Sequence, residues 1–365
     1  MRRRLATPAD AAALRRLAPD LGEAGALEEE LARPDRLWAL AEEGGEARAF
    51  AALHLEPDLR LGKVQRLGAE GAADSPGRRS AAAALLSFVL DAVREAGRLD
   101  VVYSTTRNLT LEEQAATLDC GFHLLGVFPN AVSADRHRLN GLSAWYPPGL
   151  LEGRRHGAFA LHPAVAPIFE LARAQCGLPA LPPAQAPELP YAGAPVPELE
   201  LIEAPRFAAE RFARLRERKS LSVNFYPFQE PNALITSPDQ SVEVFATVSR
   251  ERRFASLIGE RLTVAVDPVA LYRRVTDMLH ERGLEYLEII NDAADALGIE
   301  CLVRAGFSPC GYFPCLKQAG DARRDYVIFA RSFEPFRYEP LAVDPRYREL
   351  FLAYRRAGDA QPVRR

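Results

Sequence analysis

Hydrophobic positions along the first part of the chain follow two different periods. The segment from Thr7 to Leu17 joins a capping pattern to apolar residues at helical spacing and predicts a helix. Apolar or alternating runs at 37–41, 47–55 and 62–69 predict strands. A longer helical pattern, which includes Leu85, Val89 and Val93, precedes a strand at 99–103. These segments indicate a protein of mixed helices and strands.

The second part of the chain repeats this mixture. Strands are predicted at 199–202, 233–236, 242–248 and 254–258, with a helix at 205–219. Another helix begins at Asp267-Pro268 and carries Leu271, Val275 and Met278 at helical spacing. The chain therefore holds two successive α+β segments of similar element order.

A short motif occurs once in each segment. Residues 121–129 and 306–314 both read G-F-x-x-x-G-x-F-P, at a constant offset of 185 residues. The same offset aligns the strand at 99–103 with the run at 284–288, and each run follows a helix that ends at Gly97 or Gly283. Because the flanking elements agree in type and order as well as in letters, we interpret the motif as the mark of an internal duplication.

Seven prolines between residues 179 and 197 separate the two segments. Proline fixes φ and removes a hydrogen-bond donor, so this stretch predicts an extended linker. We predict two α/β domains of α+β class, each a mixed, mainly antiparallel sheet flanked by helices. The domains cover residues 1–150 and 198–335, with a helix and linker at 151–197 and a helical tail at 336–365.

Composition narrows the functional classes. The chain has 48% hydrophobic and 26% charged residues, with 46 basic and 49 acidic side chains, which excludes general disorder, a collagen-like fold and a disulfide scaffold. This balance offers no surplus of positive charge for nucleic-acid phosphates, so we expect no nucleic-acid partner.

Cysteines and histidines point to no metal site and to a reducing compartment. The five cysteines are scattered without a C-x-x-C pair, and the six histidines lack metal-ligand spacing. The amino-terminal residues have no signal-peptide core, and no apolar run of 18 residues could span a bilayer. We expect a cytoplasmic protein without metal and without a membrane partner.

The segment from Val64 to Gly126 runs strand, loop, long helix, strand, helix and Gly121-Phe122. Its loop and helix start contain Arg78-Arg-Ser-Ala81-Ala-Ala83. In these features the first domain resembles the GNAT superfamily of acyl-CoA-dependent N-acetyltransferases, whose acyl-CoA loop reads Arg/Gln-x-x-Gly-x-Gly/Ala between a strand and a helix. Amides at a helix N-terminus and its dipole can hold an anion such as the coenzyme A diphosphate.

The resemblance implies an acyl-CoA site in the first domain. It assigns the thioester and pantetheine arm to the end of the preceding strand, the diphosphate to the helix start, and a further contact to an asparagine after the next strand. In this chain these positions are Leu67, Gly68 and Ala69 on the strand, Gly77, Arg78, Arg79, Ser80, Ala81 and Ala82 at the helix start, and Asn108.

The chain departs from the family pattern at two places. Ala81 stands where glycine is usual, and Thr117 stands where many members have the tyrosine that protonates the leaving thiolate. Tyr103, Cys120 and Glu70 are the nearby titratable alternatives, and Glu70 is our candidate base. Each also has a plainer role: Glu70 as a turn carboxylate, Tyr103 as a packed aromatic, and Cys120 as a small buried residue.

The second domain departs further because its helix begins at Pro268 without the basic loop. We therefore expect it to form a wall of the substrate cleft rather than a second acyl-CoA site. The polar and aromatic stretch at 224–232 is a candidate binding loop, and the stretch at 312–317 is its candidate partner.

Together these features predict an N-acetyltransferase that uses acetyl-CoA or another acyl-CoA and acylates an amine of a small molecule or of a protein lysine. The alternative is a non-catalytic module that senses acyl-CoA or binds a protein partner. The oligomeric state is left open.

Overall fold

The computed structural model describes residues 1–71, 76–133, 136–153, 155–156, 158–334 and 343–359. The elements of its first part are β1 (Arg2–Leu5), α1 (Ala11–Leu17), α2 (Ala24–Ala32), β2 (Arg36–Glu43), β3 (Glu46–Glu56), β4 (Leu61–Ala69), α3 (Pro76–Glu95), β5 (Val101–Thr105), α4 (Leu111–Asp119), β6 (His123–Ser133) and β7 (Arg136–Trp145). They include, in the expected order, the helices and strands predicted from the sequence, and they add β1, α2 and β7.

The elements of the second part follow in the order α5 (Leu150–Gly153), β8 (Arg155–His156), α6 (Ala166–Cys176), β9 (Glu200–Ile202), α7 (Pro205–Glu217), β10 (Val223–Asn224), β11 (Ala233–Thr236), β12 (Val242–Ser249), β13 (Phe254–Leu262), α8 (Pro268–Glu281), β14 (Tyr286–Asp292), α9 (Ala296–Arg304), β15 (Ser308–Ala319), β16 (Ala322–Ser332) and α10 (Pro345–Asp359). Between 179 and 197 the described chain is neither helix nor strand, apart from one isolated bridge between Leu161 and Pro183.

All described strands belong to one sheet. Its main order is β1-β2-β3-β4-β5-β7-β6-β15-β16-β14-β13-β12-β11-β9, with β10 against β13 and β8 against β16. The β4–β5, β13–β14 and β8–β16 pairs are parallel, and the other pairs are antiparallel. The predicted class, a mixed and mainly antiparallel sheet flanked by helices, is confirmed.

The two halves of the sheet have the same strand order. We call β1 to β7 the first half, and β9 with β11 to β16 the second half. They join where β6 pairs with β15 at Gly126 and Gly311, which are equivalent glycines of the repeated motif. A Cβ on Gly126 would lie 2.4 Å from the Cα of Gly311 and 2.6 Å from the carbonyl oxygen of Cys310, so only glycine permits this approach.

This joint gives one continuous sheet where the sequence predicted one sheet in each domain. A pairing between strands 185 residues apart leaves no local signal in either strand, which is why periodicity could not anticipate it. The predicted domain boundaries themselves stay a prediction.

Helices cover both faces of the first half. On β2, Ala39 belongs to a cluster with Leu85 and Val89 of α3, while its neighbour Trp38 belongs to a cluster with Leu14 of α1. Successive strand residues point to opposite faces, so α3 and α1 lie on opposite sides of the sheet. In the described part of the chain, no helix is both long and apolar enough to cross a membrane.

The tail helix α10, within the predicted helical tail, packs on the α3 side of the sheet. Tyr347, Leu350 and Phe351 are buried in the same cluster as α3. The Tyr347 hydroxyl donates to the hydroxyl of Ser143 on β7 at 2.8 Å. The tail therefore forms part of the first half's core.

Candidate active site

The parallel strands β4 and β5 pair over only three positions. Leu61, Gly62 and Lys63 lie opposite Val101, Val102 and Tyr103, and no register pair follows. Beyond Lys63, β4 continues to Ala69 beside β3 alone, and Gln65 forms a bulge there because Val64 and Arg66 oppose consecutive residues of β3. The two strands thus separate toward their carboxyl ends, and we call this opening the split.

The predicted thioester-binding residues lie on the separated part of β4. Leu67, Gly68 and Ala69 pair with β3 on one side, and their other edge faces the split. A Cβ on Gly68 would come within 2.5 Å of the Phe50 ring, which accounts for the glycine by packing alone. The carbonyl oxygen of the Gln65 side chain is buried and accepts no hydrogen bond from the described residues.

The residues expected in the loop before α3 are helical. Because proline at the first helical position is preorganised for the helix, α3 already begins at Pro76 and includes all six predicted residues from Gly77 to Ala82. Ser75, the first residue of the predicted loop at 75–80, lies outside the described residues, as do 72–74 and the side chain of Asn108. Gly77 is exposed, and a Cβ there would meet nothing within 4 Å.

Arg78 and Arg79 both reach carboxylates of α4. Arg78 donates to Glu113 at 3.2 Å, and Arg79 forms two hydrogen bonds with Asp119 at 2.6 and 2.7 Å. These pairs fix the start of α3 against α4. The described geometry therefore gives the two arginines a structural role, whatever ligand contact they also make.

The structure separates the predicted catalytic residues. Glu70 follows the end of β4, its carboxylate is paired with Arg48, and its side chain is 54% exposed. Cys120 lies on the α3 side, where burial raises the pKa of its thiol. Of these three residues, only Tyr103 lines the cavity described next.

A cavity of about 310 Å³ begins at the foot of the split, where Lys63 and Tyr103 form the last register pair. We call it the central cavity. Both halves of the sheet contribute to its wall. Besides these two residues the lining consists of Thr105, Arg107, Phe128, Asn140, Leu142, Tyr226, Pro227, Phe228, Gln229, Thr247, Ser249, Arg252, Phe254, Glu288, Ile290, Phe313, Leu316 and Ile328. The volume suits a small molecule.

The cavity brings together the two predicted binding stretches. Tyr226 and Phe228 belong to the candidate loop at 224–232, and Phe313 belongs to its candidate partner at 312–317. The ring of Tyr103 lies 5.5 Å from that of Phe228 and 5.8 Å from that of Phe313, measured between centroids. The aromatic wall is therefore built from both halves.

Glu288 is the carboxylate of the cavity lining, and the sequence reasoning missed it, as it missed Lys63. It lies on β14 at the position equivalent to Tyr103, 185 residues later, and it pairs with Ser256 as Tyr103 pairs with Lys63. The offset already aligned Leu284–Glu288 with the strand of Tyr103, so the repeat could have found this carboxylate.

Burial is the largest influence on the pKa of Glu288. Its side chain accepts a hydrogen bond from the Tyr226 hydroxyl at 2.5 Å. Burial raises the pKa of Glu288, while Arg107, Tyr226 and Lys63 favour the ionised form and oppose that rise. A carboxylate with a raised pKa in a cavity is a suitable proton acceptor.

Lys63 is the second perturbed group of the cavity. Its ammonium lies 5.6 Å from the centroid of the Tyr103 ring. Burial lowers its pKa to about 8, and the positive charges of Arg107 and Arg252 act in the same direction, while Glu288 and Glu56 oppose them.

We expect Lys63→Met to increase the free energy of unfolding at pH 7 by about 1–3 kcal/mol, because burying an ammonium costs stability. The unfolded chain binds the proton between pH 8 and 10.5 while the folded chain does not. The wild type therefore gains stability as pH rises through that window, and the advantage of the variant shrinks. Urea unfolding at several pH values measures this. The exposed Lys219→Met is the control, expected to change stability by less than about 0.5 kcal/mol.

The part of the second half that corresponds to the predicted acyl-CoA site, on β13 and at the start of α8, contains carboxylates of the protein itself. Asp267 caps α8 and accepts hydrogen bonds from the amides of Val269 and Ala270 at 2.9 and 3.1 Å. On β13, Glu260 is half-buried and accepts a hydrogen bond from Tyr272 at 2.8 Å. A diphosphate at the start of α8 would meet the negative charge of Asp267.

Neither a protein-family model nor a curated protein matches the chain. Solved acetyltransferases are similar to part of it. The aminoglycoside 6'-N-acetyltransferase of Enterococcus faecium is 16% identical, covers 40% of this chain and 97% of its own, and has a TM-score of 0.32. The ribosomal-protein-alanine N-acetyltransferase of Brucella melitensis is 17% identical over 40% of this chain and 100% of its own, with a TM-score of 0.33. A GNAT-family acetyltransferase of Streptococcus pneumoniae is 16% identical over 40% and 98%, also at 0.33. The resemblance predicted from the sequence names the same family.

Proposed function

We propose that the protein is an acyl-CoA-dependent N-acyltransferase that acylates the amine of a small molecule in the central cavity. One observation carries the proposal: the split between β4 and β5 opens on that cavity, since Lys63 and Tyr103 are both the last register pair and part of the lining. A thioester in the split would place its carbonyl next to an amine in the cavity, and such proximity is the main requirement of acyl transfer.

In this proposal the acyl-CoA arm lies along the free edge of β4. Backbone amides between Leu67 and Ala69 polarise the thioester carbonyl, as oxyanion donors do elsewhere. The buried carbonyl oxygen of Gln65, which has no described partner, is available to an amide N–H of the pantetheine arm. The diphosphate lies at the N-terminus of α3, where the amides of the first turn and the helix dipole favour an anion.

Glu288 replaces Glu70 as the proposed base. It takes one proton from the acceptor ammonium, and the neutral nitrogen attacks the carbonyl carbon, so that a C–N bond forms. The C–S bond then breaks, the second nitrogen proton passes to the leaving sulfur, and Glu288 returns its proton to water. Only Glu288 of these two carboxylates lines the cavity.

Thiol release from acetyl-CoA, measured with a panel of primary amines and a lysine peptide, tests the proposal. We expect one free thiol for each N-acetyl product with a small amine. Saturable acetyl-CoA binding without thiol release from any amine would support a non-catalytic sensor instead. Absence of binding at millimolar acetyl-CoA would contradict both functions.

The proposed diphosphate site predicts the effect of a single charge at Gly77. Because this position is open, Gly77→Glu adds a carboxylate to the first turn of α3 without a clash. We expect it to weaken acetyl-CoA binding at least about tenfold by charge repulsion, whereas an acid at a helix N-terminus preserves or raises stability. Calorimetric titration and a melting curve measure the two effects.

Gly77→Gln is the matched control, since it adds a similar volume without charge. We expect it to bind acetyl-CoA nearly as the wild type does. Equal acetyl-CoA affinities of the glutamate and glutamine variants would contradict the proposed position of the diphosphate at the start of α3.

A further inference from the structure

The lining of the central cavity has more positively charged than negatively charged side chains. Lys63, Arg107 and Arg252 contribute positive charge, and Glu288 contributes the one carboxylate among the lining residues. In the part of the chain that the structure describes, neither arginine is paired with a carboxylate. Arg107 instead lies over the Phe254 ring, with its guanidinium carbon 5.6 Å from the ring centroid.

A buried amide in the same wall also lacks a partner. Asn140 is only 5% exposed, and its side-chain nitrogen donates to no described residue. Buried donors are nearly always satisfied in folded proteins, so an unused one in a cavity indicates a ligand oxygen or water. Arg107, Arg252 and Asn140 are all donors, and each suits an acceptor group with negative charge.

We propose that the acceptor substrate is an amine that also carries a carboxylate on an apolar body, as an apolar amino acid does. This inference rests on the proposed function, for which it names the substrate class. The carboxylate lies against Arg107, Arg252 and Asn140, and the ammonium lies against Glu288. The rings of Phe128, Phe228 and Phe313 contact the apolar body.

The arrangement explains why two halves are needed for one site. Arg107 and Asn140 come from the first half, while Arg252 and Glu288 come from the second. A planar guanidinium matches a carboxylate in two parallel hydrogen bonds, which favours a carboxylate over a neutral polar group. An amine without the carboxylate leaves the positive wall of the cavity unpaired, and that costs affinity.

Binding of three matched probes to the full chain, measured by calorimetry without acetyl-CoA, tests the inference. L-Phenylalanine has both charged groups, 2-phenylethylamine lacks the carboxylate, and 3-phenylpropanoate lacks the amine. We expect L-phenylalanine to bind at least about tenfold more tightly than either analogue. Equal binding of 2-phenylethylamine, or no binding of L-phenylalanine at millimolar concentration, would overturn the inference. Tighter binding of O-phosphoethanolamine would also overturn it and assign the positive wall to phosphate.

Variants then locate the carboxylate. Arg107→Met and Arg252→Met are each expected to weaken L-phenylalanine binding about tenfold or more while sparing 2-phenylethylamine. Arg252 is exposed in the turn between β12 and β13, so its replacement leaves the fold intact. Arg206→Met, which removes a side chain that is 96% exposed on α7, is the control for net charge. Unchanged binding in both cavity variants would contradict the assignment.

Failure of the inference can be told apart from failure of the proposed function. If acetyl-CoA releases thiol equally with 2-phenylethylamine and L-phenylalanine, the enzyme is an acyltransferase and the carboxylate is irrelevant. If L-phenylalanine binds through the two arginines but no amine releases thiol, the site is assigned correctly and the transferase function is wrong.

Discussion

Glu288→Gln is expected to lower the rate of thiol release with an amine acceptor by about 100-fold or more, because it removes the group that takes the ammonium proton. Acetyl-CoA affinity is expected to stay within about twofold of the wild type, since Glu288 lies on β14 and the proposed acyl-CoA arm lies along β4. Initial rates at saturating acetyl-CoA, together with a calorimetric titration, separate the two effects.

Stability sets a control for this variant. The folded-state pKa of Glu288 is raised, so the folded chain binds more protons than the unfolded chain above the ordinary carboxyl range, and the ionised residue costs stability at neutral pH. Replacing it with a neutral isostere is therefore expected to leave the melting temperature unchanged or higher. A lost rate together with a lower melting temperature would indicate a damaged fold instead.

The pH profile gives a second, more specific readout. In the wild type the rate rises with pH as Glu288 ionises, and this acidic limb is expected to disappear in Glu288→Gln. The groups around Glu288 are Arg107, Tyr226, Tyr286 and Lys63. Tyr226→Phe removes a hydrogen bond that favours the ionised form, so we expect its acidic limb to move to higher pH. An unchanged limb in both variants would assign the base to another group.

Local sequence signals were enough to predict most of the elements, including the strand and the helix to which the acyl-CoA contacts are assigned. The periodicity marked β4, α3 and β5, and the structure places Leu67 to Ala69 beside the split; their contact with acyl-CoA stays a prediction. The helix α3 begins at Pro76, before the basic motif, because proline is favoured at the first position of a helix.

Long-range features were harder to anticipate. The partners of Arg78 and Arg79 lie on α4, 35 and 40 residues away, and an ion pair of that kind has no local pattern. The cavity depends on the pairing of β6 with β15, which brings Glu288 to the same wall as Tyr103. A single glutamate in an apolar strand predicts little about function, although the repeat already aligned Glu288 with Tyr103.

The continuous sheet also changes what the duplication means for function. Equivalent positions carry Lys63 and Tyr103 in one half and Ser256 and Glu288 in the other. In the first half, a Cβ on Gly77 in the first turn of α3 would meet no described atom within 4 Å, whereas in the second half Asp267 accepts hydrogen bonds at the start of α8. The two halves thus place chemically different residues on the two sides of one cavity, as the proposed use of both halves by a single substrate requires.

Arg323→Met is expected to destabilise the protein by about 3–5 kcal/mol, because it removes a buried cation that joins the two halves. Arg323 is fully buried on β16. It donates to the carboxylate of Asp100 at 2.9 Å and to the carbonyl of Leu59 at 3.2 Å in the first half. It also donates to the carbonyls of Cys315 and Leu316 at 2.6 and 2.7 Å.

The size of the effect follows from what the substitution leaves behind. Methionine fills much of the volume but donates no hydrogen bond, so three buried carbonyls lose a donor and Asp100 keeps Arg60 as its other partner. Each buried polar group without a partner costs about 1–3 kcal/mol, partly recovered by relaxation or water. Leu59 lies two residues before β4, and Asp100 directly precedes β5, so acetyl-CoA affinity is expected to fall as well.

The adjacent Arg324→Met is the matched control. Arg324 is 49% exposed and pairs with Asp292 at 3.0 Å, and an exposed pair contributes at most about 1 kcal/mol. Urea unfolding of both variants, followed by circular dichroism, measures the difference. A loss below about 1 kcal/mol in Arg323→Met would show that the halves are held together by the β6–β15 joint and apolar packing alone. A large loss would show that the hydrogen bonds of Arg323 hold the two halves together at the foot of the split, where the cavity begins.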